Sequence, residues 1–124
     1  RRIAPDDLAP YRPEAPLPRA NLFQLMDAFK QVLDRRSPGG ELQFRTEEWS
    51  LKDKMTFIME RLKEGALSFS ELFVDNHTVS ELVATFLALL ELVQTGMVQV
   101  RQPHPEQDIV LEAGFEDAEE TARA

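Results

Sequence analysis

The sequence predicts a mainly α-helical fold that ends in a short β-hairpin. Two helical stretches, residues 51–64 and 78–95, carry apolar residues at intervals of three and four, which places them on one face of a helix. A short extended piece and a helical turn lie between them, at residues 67–74. After the second stretch, Val98 and Val100 alternate with polar residues, and residues 109–111 form a second strand beyond two prolines. This order of three helices followed by a hairpin predicts a winged-helix domain with the hairpin as its wing.

An amphipathic helix over residues 21–36 precedes this domain. Asn21 followed by Gln24 is typical of a capping box at a helix start. Arg35 and Arg36 suit the C-terminal end of the helix dipole, and the Pro-Gly-Gly sequence at 38–40 ends the helix. Its apolar face consists of Leu22, Leu25, Met26, Phe29, Val32 and Leu33. Residues 41–46 are predicted to be a short extended piece.

Each long helix of the domain has start and stop signals. Ser50 with Asp53 and Thr78 with Glu81 are capping pairs, and Gly65 and Gly96 end the two helices. The residues predicted to share one core are Leu51, Ile58, Leu62, Phe69, Leu72, Phe86, Leu90 and Val93.

The chain divides into four predicted regions. Residues 1–20 contain five of the eight prolines and are predicted to be extended, either as a linker or as a partner-bound segment anchored by Leu8, Tyr11 and Leu17. Residues 21–46 form the helical lead-in and 47–112 the winged-helix domain. Residues 113–124 are predicted to be a disordered acidic tail. The first residue is Arg1, which indicates a piece of a longer protein.

Composition argues against several functional classes. The chain has 124 residues, a formal charge of −8 and no cysteine, so disulfides and thiolate metal sites are excluded, and a reducing cytoplasm is the expected location. No apolar run is long enough for a membrane span. No glycine-rich phosphate loop or nucleophile motif is present. His77 and His104 lie apart at predicted turns, so we predict no catalytic, cofactor or metal site.

The 78–95 helix is poorly suited to DNA. An acidic winged-helix transcriptional regulator is the alternative function, and its third helix would offer cations or amides to base edges. The predicted outward positions are Ser80, Glu81, Ala84, Thr85, Ala88, Glu91 and Thr95. None is a cation, and no Lys or Arg occurs between Lys63 and Arg101. DNA readout by this helix is therefore not expected.

The same helix is apolar around most of its circumference. One broad arc contains Val79, Leu82, Val83, Phe86, Leu89, Leu90 and Val93, and Leu87 and Leu92 lie on opposite shoulders of it. Either neighbouring helices cover the shoulders, or they form a protein-contact surface, since exposed apolar patches mark partners.

Residues 81–93, and above all the run TFLALLEL at 85–92, resemble segregation and condensation protein A, the kleisin of the bacterial and archaeal SMC complex. Residues 98–102 and Asp108-Ile109 also fit that family. The resemblance covers roughly residues 21–111. One departure is at Glu106 and Gln107, where the family usually has an aromatic residue followed by glycine, so the wing turn is expected to differ in shape.

The resemblance implies a non-catalytic subunit that closes a ring around DNA. Its winged helix would dock on the head of an SMC ATPase, through Phe86, Leu87, Leu90, Leu92, Val98 and Val100. Residues 1–36 would contact a dimer of segregation and condensation protein B, through Leu8, Tyr11, Leu17, Leu25 and Phe29. DNA would be reached only through the complex. The implied location is the cytoplasm, at the nucleoid and without membrane contact, and no cofactor is implied.

Overall fold

The computed structural model describes residues 19–36, 43–104 and 106–114. Along these residues the elements are α1 (Arg19–Arg36), α2 (Leu51–Lys63), β1 (Leu67–Ser68), α3 (Phe69–Leu72), α4 (Val79–Gln94), β2 (Val98–Arg101) and β3 (Val110–Ala113). The prediction of a mainly helical fold with a small amount of antiparallel sheet is confirmed. The extended segment predicted for 1–20 and the tail predicted for 113–124 lie almost entirely outside the described residues.

Helix α1 begins two residues earlier than predicted. Its first residue is Arg19, so Asn21 lies inside the helix and the predicted capping box of Asn21 and Gln24 is wrong. In the sequence, Pro18 directly precedes this first residue. The end of α1 is as predicted, with Arg35 and Arg36 in the last turn.

Helix α1 packs into the same hydrophobic core as the later helices. Leu25 and Val32, two turns apart, are 0% and 3% exposed. Between them, Phe29 stacks on Phe86 of α4, with ring centroids 4.3 Å apart and planes within 2° of parallel. At the end of α1, the guanidinium of Arg36 donates to the backbone oxygen of Phe73 at 2.8 Å.

Helix α2 starts at the predicted cap, but its first residue, Leu51, does not lie in the core. The Ser50 hydroxyl accepts a hydrogen bond from the Asp53 amide at 3.1 Å. Ile58 and Leu62 are buried, whereas Leu51 is 43% exposed. Leu51 lies on the same helix face as Ile58, seven residues earlier, so the face was predicted correctly. Its predicted place in the core is wrong, because nearly half of the side chain is exposed.

The predicted hairpin is confirmed and belongs to a three-stranded sheet with the order β1-β3-β2. Strand β3 is central and antiparallel to both neighbours, so Leu111 lies opposite Leu67 of β1 and Val100 of β2. Gly96, with φ of +83°, turns the chain from α4 into β2 in a conformation that favours glycine. The register buries Leu111 and Val98 under the helices.

Helix α4 buries a side that overlaps the predicted arc only in part: Leu82, Phe86 and Leu89 of the arc are buried, whereas Val83 is exposed. Thr85 and Ala88, predicted to face outward, are both 0% exposed. The Thr85 hydroxyl donates to the Asn76 side-chain oxygen at 2.7 Å, which satisfies it in the interior. The buried side is rotated by roughly a quarter of a turn from the predicted arc, because α2 packs against a side of α4 that has small and polar residues as well as leucines.

Candidate protein-interaction surface

Helix α4 starts from a firmly held cap. The Thr78 hydroxyl accepts from the Glu81 amide at 2.9 Å, as predicted. The Glu81 carboxylate accepts from the His77 amide at 3.2 Å and forms an ion pair with Lys54 of α2 at 2.7 Å. Both side chains of this pair are largely buried. The first turn of α4 therefore has a fixed position relative to α2.

The outer side of α4 is apolar and then acidic. Val83 and Leu87 are 38% and 50% exposed, and Glu91, one turn further, is exposed as well. Residues four apart lie above one another on a helix, so these three side chains form one line. The helix carries no Lys or Arg. This surface suits a protein partner better than a polyanion.

The structure places the six residues expected to contact an SMC head at different depths. Leu92 and Val98 are 1% and 2% exposed, and Phe86 is buried beneath Phe29 of α1. Leu90 and Val100 are half-buried against the core, and Leu87 is exposed. The contact role of all six stays a prediction, but in this arrangement only Leu87, Leu90 and Val100 offer surface to a partner.

The residues expected to contact the companion protein are also divided. Leu25 is fully buried, and Phe29 is occupied by its stack on Phe86. Leu8, Tyr11 and Leu17 lie outside the described residues. The large exposed apolar side chains of α1 are instead Phe23 and Met26, at 58% and 48%. Phe23 was not part of the predicted apolar face, and the helical period alone did not show that Met26, which was, would be left exposed.

Sequence reasoning missed a second apolar element, the connecting segment formed by residues 43–50. It has no regular helix or sheet apart from a single bridge between Gln43 and Thr78, yet Phe44 and Trp49 in it are 77% and 40% exposed. Aromatic residues among charged neighbours are the signal that could have indicated this exposure.

Glu47 holds the connecting segment to the start of α4. Its carboxylate accepts from the Thr78 hydroxyl at 2.9 Å and from the Trp49 indole at 3.2 Å, and it pairs with Arg45 at 3.2 Å. The hydrogen bond from Thr78 is the main cause of a lowered pKa for Glu47, assisted by Arg45 and Trp49 and opposed by desolvation. A carboxylate that accepts several hydrogen bonds is stabilised in its charged form.

The histidines have no metal-site geometry around them. His77 and His104 are both exposed, and within the described ranges no group of three or more His, Asp or Glu side chains is placed to hold a metal ion. None of the helices in the described residues has the length and hydropathy needed to cross a bilayer.

A family model described as segregation and condensation protein ScpA matches residues 18–113, which include every element above. The chain belongs to this family. The predicted resemblance, which covered roughly residues 21–111, is thereby confirmed.

Relatives in the ScpA family support the assignment along most of the chain. Segregation and condensation protein A of Brevibacillus brevis is 33% identical over 118 residues, which cover 91% of this chain and 46% of the relative. The proteins of the same name from Listeria welshimeri and Myxococcus xanthus are 34% and 33% identical, over 78% and 79% of this chain and 41% and 35% of their own lengths. The chain thus spans less than half of these relatives. No solved structure matches it.

Proposed function

We propose that this chain is the C-terminal part of a non-enzymatic kleisin subunit and that it docks on the head of an SMC ATPase. The order of helices, the sheet order β1-β3-β2 and the β2–β3 hairpin support a winged-helix domain with that hairpin as its wing. Membership of the ScpA family supports a role in chromosome segregation and condensation, at the nucleoid in the cytoplasm.

The outer side of α4 is the observation that carries the proposal. In a winged-helix domain that reads DNA, the helix equivalent to α4, which is the third of the domain, would present cations or amides to the major groove. Here it presents Val83, Leu87 and Glu91. Apolar side chains lose their contact with water when a protein partner covers them, whereas Glu91 would be repelled by phosphates. Contact with DNA would then be indirect, through the complex.

The docking residues follow from exposure. We assign direct contact to Leu87, Leu90 and Val100, which have surface to offer. The buried residues Phe86, Leu92 and Val98 would not touch the partner; they would hold α4 and β2 in position. A substitution at the buried positions would weaken binding only by disturbing the fold.

A contact with segregation and condensation protein B is proposed for the N-terminal region. Phe23 and Met26 on the outer side of α1 replace Leu25 and Phe29 as the anchors, because the latter two pack inward. Leu8, Tyr11 and Leu17 stay proposed anchors from sequence. The docking unit would begin at α1 rather than at residue 47, since α1 supplies Leu25 and Val32 to the core.

Two calorimetric titrations of the chain, one with an isolated SMC head and one with a DNA duplex, test the proposed function. We expect saturable binding to the head and none to a DNA duplex at physiological salt. Tight DNA binding whose affinity falls steeply as salt rises would favour the transcriptional regulator instead, since that dependence reports phosphate neutralisation. ATP hydrolysis by the pure chain would contradict the non-enzymatic role.

A further inference from the structure

The connecting segment is anchored by its polar groups. The Gln43 amide donates to the His77 oxygen at 3.1 Å, and the Val79 amide donates to the Gln43 oxygen at 2.8 Å. Further along, the Ser80 hydroxyl donates to the backbone oxygen of Glu47 at 2.7 Å. With the hydrogen bond from Thr78 to the Glu47 carboxylate, these contacts fix the segment against the first turn of α4.

The aromatic side chains of the same segment are exposed. Phe44 is 77% exposed, which is the highest value among the large hydrophobic residues described. Trp49 is 40% exposed, and its ring is held between the Glu47 carboxylate, 3.2 Å from the indole nitrogen, and the Lys54 ammonium, 4.3 Å from the ring centroid. Rigid aromatic side chains lose little entropy when a partner covers them, which is why tryptophan is common among the residues that dominate interfaces.

The connecting segment lies on the outer side of α4. Ser80, which bonds to Glu47, is one turn before Val83. Leu87 follows Ser80 by seven residues, which is two turns and roughly 10 Å along the same side of the helix. Phe44 is three residues before Glu47, so it lies within roughly 10 Å of that anchor point. The Glu47 anchor of the segment therefore lies on the same side of α4 as the exposed line, at its N-terminal end.

The exposed charges around this surface are predominantly acidic. Glu48 and Glu91 are exposed, as is Lys52 in the first turn of α2, while Arg45 of the segment and Lys54 of α2 are paired with Glu47 and Glu81. Opposite charges at the rim of an interface favour encounter with the matching partner.

We propose that the connecting segment and the outer side of α4 together form one docking surface for a protein face with apolar side chains at its centre and Lys or Arg at its rim. The inference rests on the proposed function, because it names the part of this chain that would contact the SMC head and the chemistry required of that head. It adds Phe44 and Trp49 to the contact residues and makes the segment before α2 part of the site.

Matched substitutions to glutamate test the docking surface. Phe44→Glu and Val83→Glu change the proposed surface, and Phe23→Glu and Val74→Glu make the same changes at positions 58% and 59% exposed elsewhere. We expect each of the first pair to weaken binding to the SMC head by at least about tenfold and each of the second pair by less than about threefold, in keeping with central and peripheral interface positions. Thermal melts establish that all four proteins fold, and Glu91→Lys, which reverses a rim charge, should also weaken binding.

The outcomes separate the two proposals. If the native chain binds the head and Phe44→Glu binds equally well, the docking surface is wrong and the proposed function stands. If the native chain does not bind, the proposed function fails and this inference fails with it. Sedimentation of the native chain gives a third outcome: a homodimer that Phe44→Glu and Val83→Glu dissociate would assign the surface to a second copy of the chain and overturn the inference. An Phe44→Glu protein that does not fold would also overturn it, because the side chain would then be structural.

Discussion

The inner and outer sides of α4 differ less in sequence than in environment. The inner side carries Thr85, Ala88 and Leu92, all at or below 1% exposure, whereas the outer side carries Val83 and Leu87 at 38% and 50%. The inner side also carries Leu82, Phe86 and Leu89 and is the more apolar of the two, yet the outer side still exposes large apolar residues to water. The interior accepts Thr85 because Asn76 supplies a hydrogen-bond acceptor at 2.7 Å and accepts Ala88 because a small residue lets two helices approach closely. Apolar character on α4 therefore does not distinguish core from interface.

Charge insertion should give the largest difference between the two sides. Leu92→Arg would bury an unpaired charge and should unfold the domain, since such burial costs several kcal/mol or more, a large fraction of the total stability of a small domain. Leu87→Arg should leave the fold intact because its side chain reaches water. Circular dichroism melts of both variants measure the contrast. A folded Leu92→Arg protein would show that the inner side is not closed.

Truncation of the stacked aromatic pair should have the next largest effect. Phe86→Ala removes a side chain that lies between Phe29 and Phe69 and should cost about 3–5 kcal/mol. Phe29→Ala should cost less, roughly 2–3 kcal/mol, because Phe29 is only half-buried. Urea unfolding gives both values. Faster amide exchange confined to α1 in the Phe29→Ala protein would show that α1 can detach from the other helices. An unchanged urea midpoint in both variants would contradict the packing of Phe29 on Phe86.

Removal of one hydroxyl compares a fully buried with a partly exposed threonine. Thr85→Val leaves the buried Asn76 oxygen without its donor and should destabilise the protein by about 1–2 kcal/mol. Thr95→Val removes a hydroxyl that bonds to the Glu91 oxygen at 3.0 Å at the exposed end of α4 and should change stability by less than about 0.5 kcal/mol. Equal effects in urea titrations would mean that the Thr85–Asn76 bond makes no net contribution.

The acid sensitivity of the connecting segment should be the smallest effect. Because the pKa of folded Glu47 lies below its ordinary value of 4.5, its contribution to stability is complete above that value and is lost as the pH falls through the lower, folded pKa. Glu47→Gln should therefore lower the melting temperature slightly at neutral pH, and the difference from the native protein should shrink in acid below that ordinary value. Glu48→Gln, at the exposed neighbouring position, is the control. A difference that grows on acidification would contradict the lowered pKa.

Local signals in the sequence determined where most elements begin and end. Ser50 and Thr78 cap α2 and α4 as predicted, because each cap depends on an amide only three residues away, and Gly96 ends α4 with a positive φ. The first strand of the hairpin was predicted from the alternation at 98–101, which selects extended backbone with one buried face, and it pairs with a second strand at 110–113 where 109–111 was predicted. The start of α1 was misplaced because a second suitable start, directly after Pro18, competes with Asn21.

What only the tertiary structure decided is which apolar surface each helix buries. Helix α4 is apolar around most of its circumference, so its periodicity predicted an arc that only partly matches the buried side, and the packing of α2 and α1 selected the side with Thr85 and Ala88. The same packing left Leu51 beyond the core and placed Phe29 on Phe86. The position of the connecting segment depends on Glu47 meeting Thr78 and Ser80, residues 31 and 33 positions away. Caps, turns and alternation act over a few residues and can be read along the chain, whereas burial depends on neighbours that are distant in sequence.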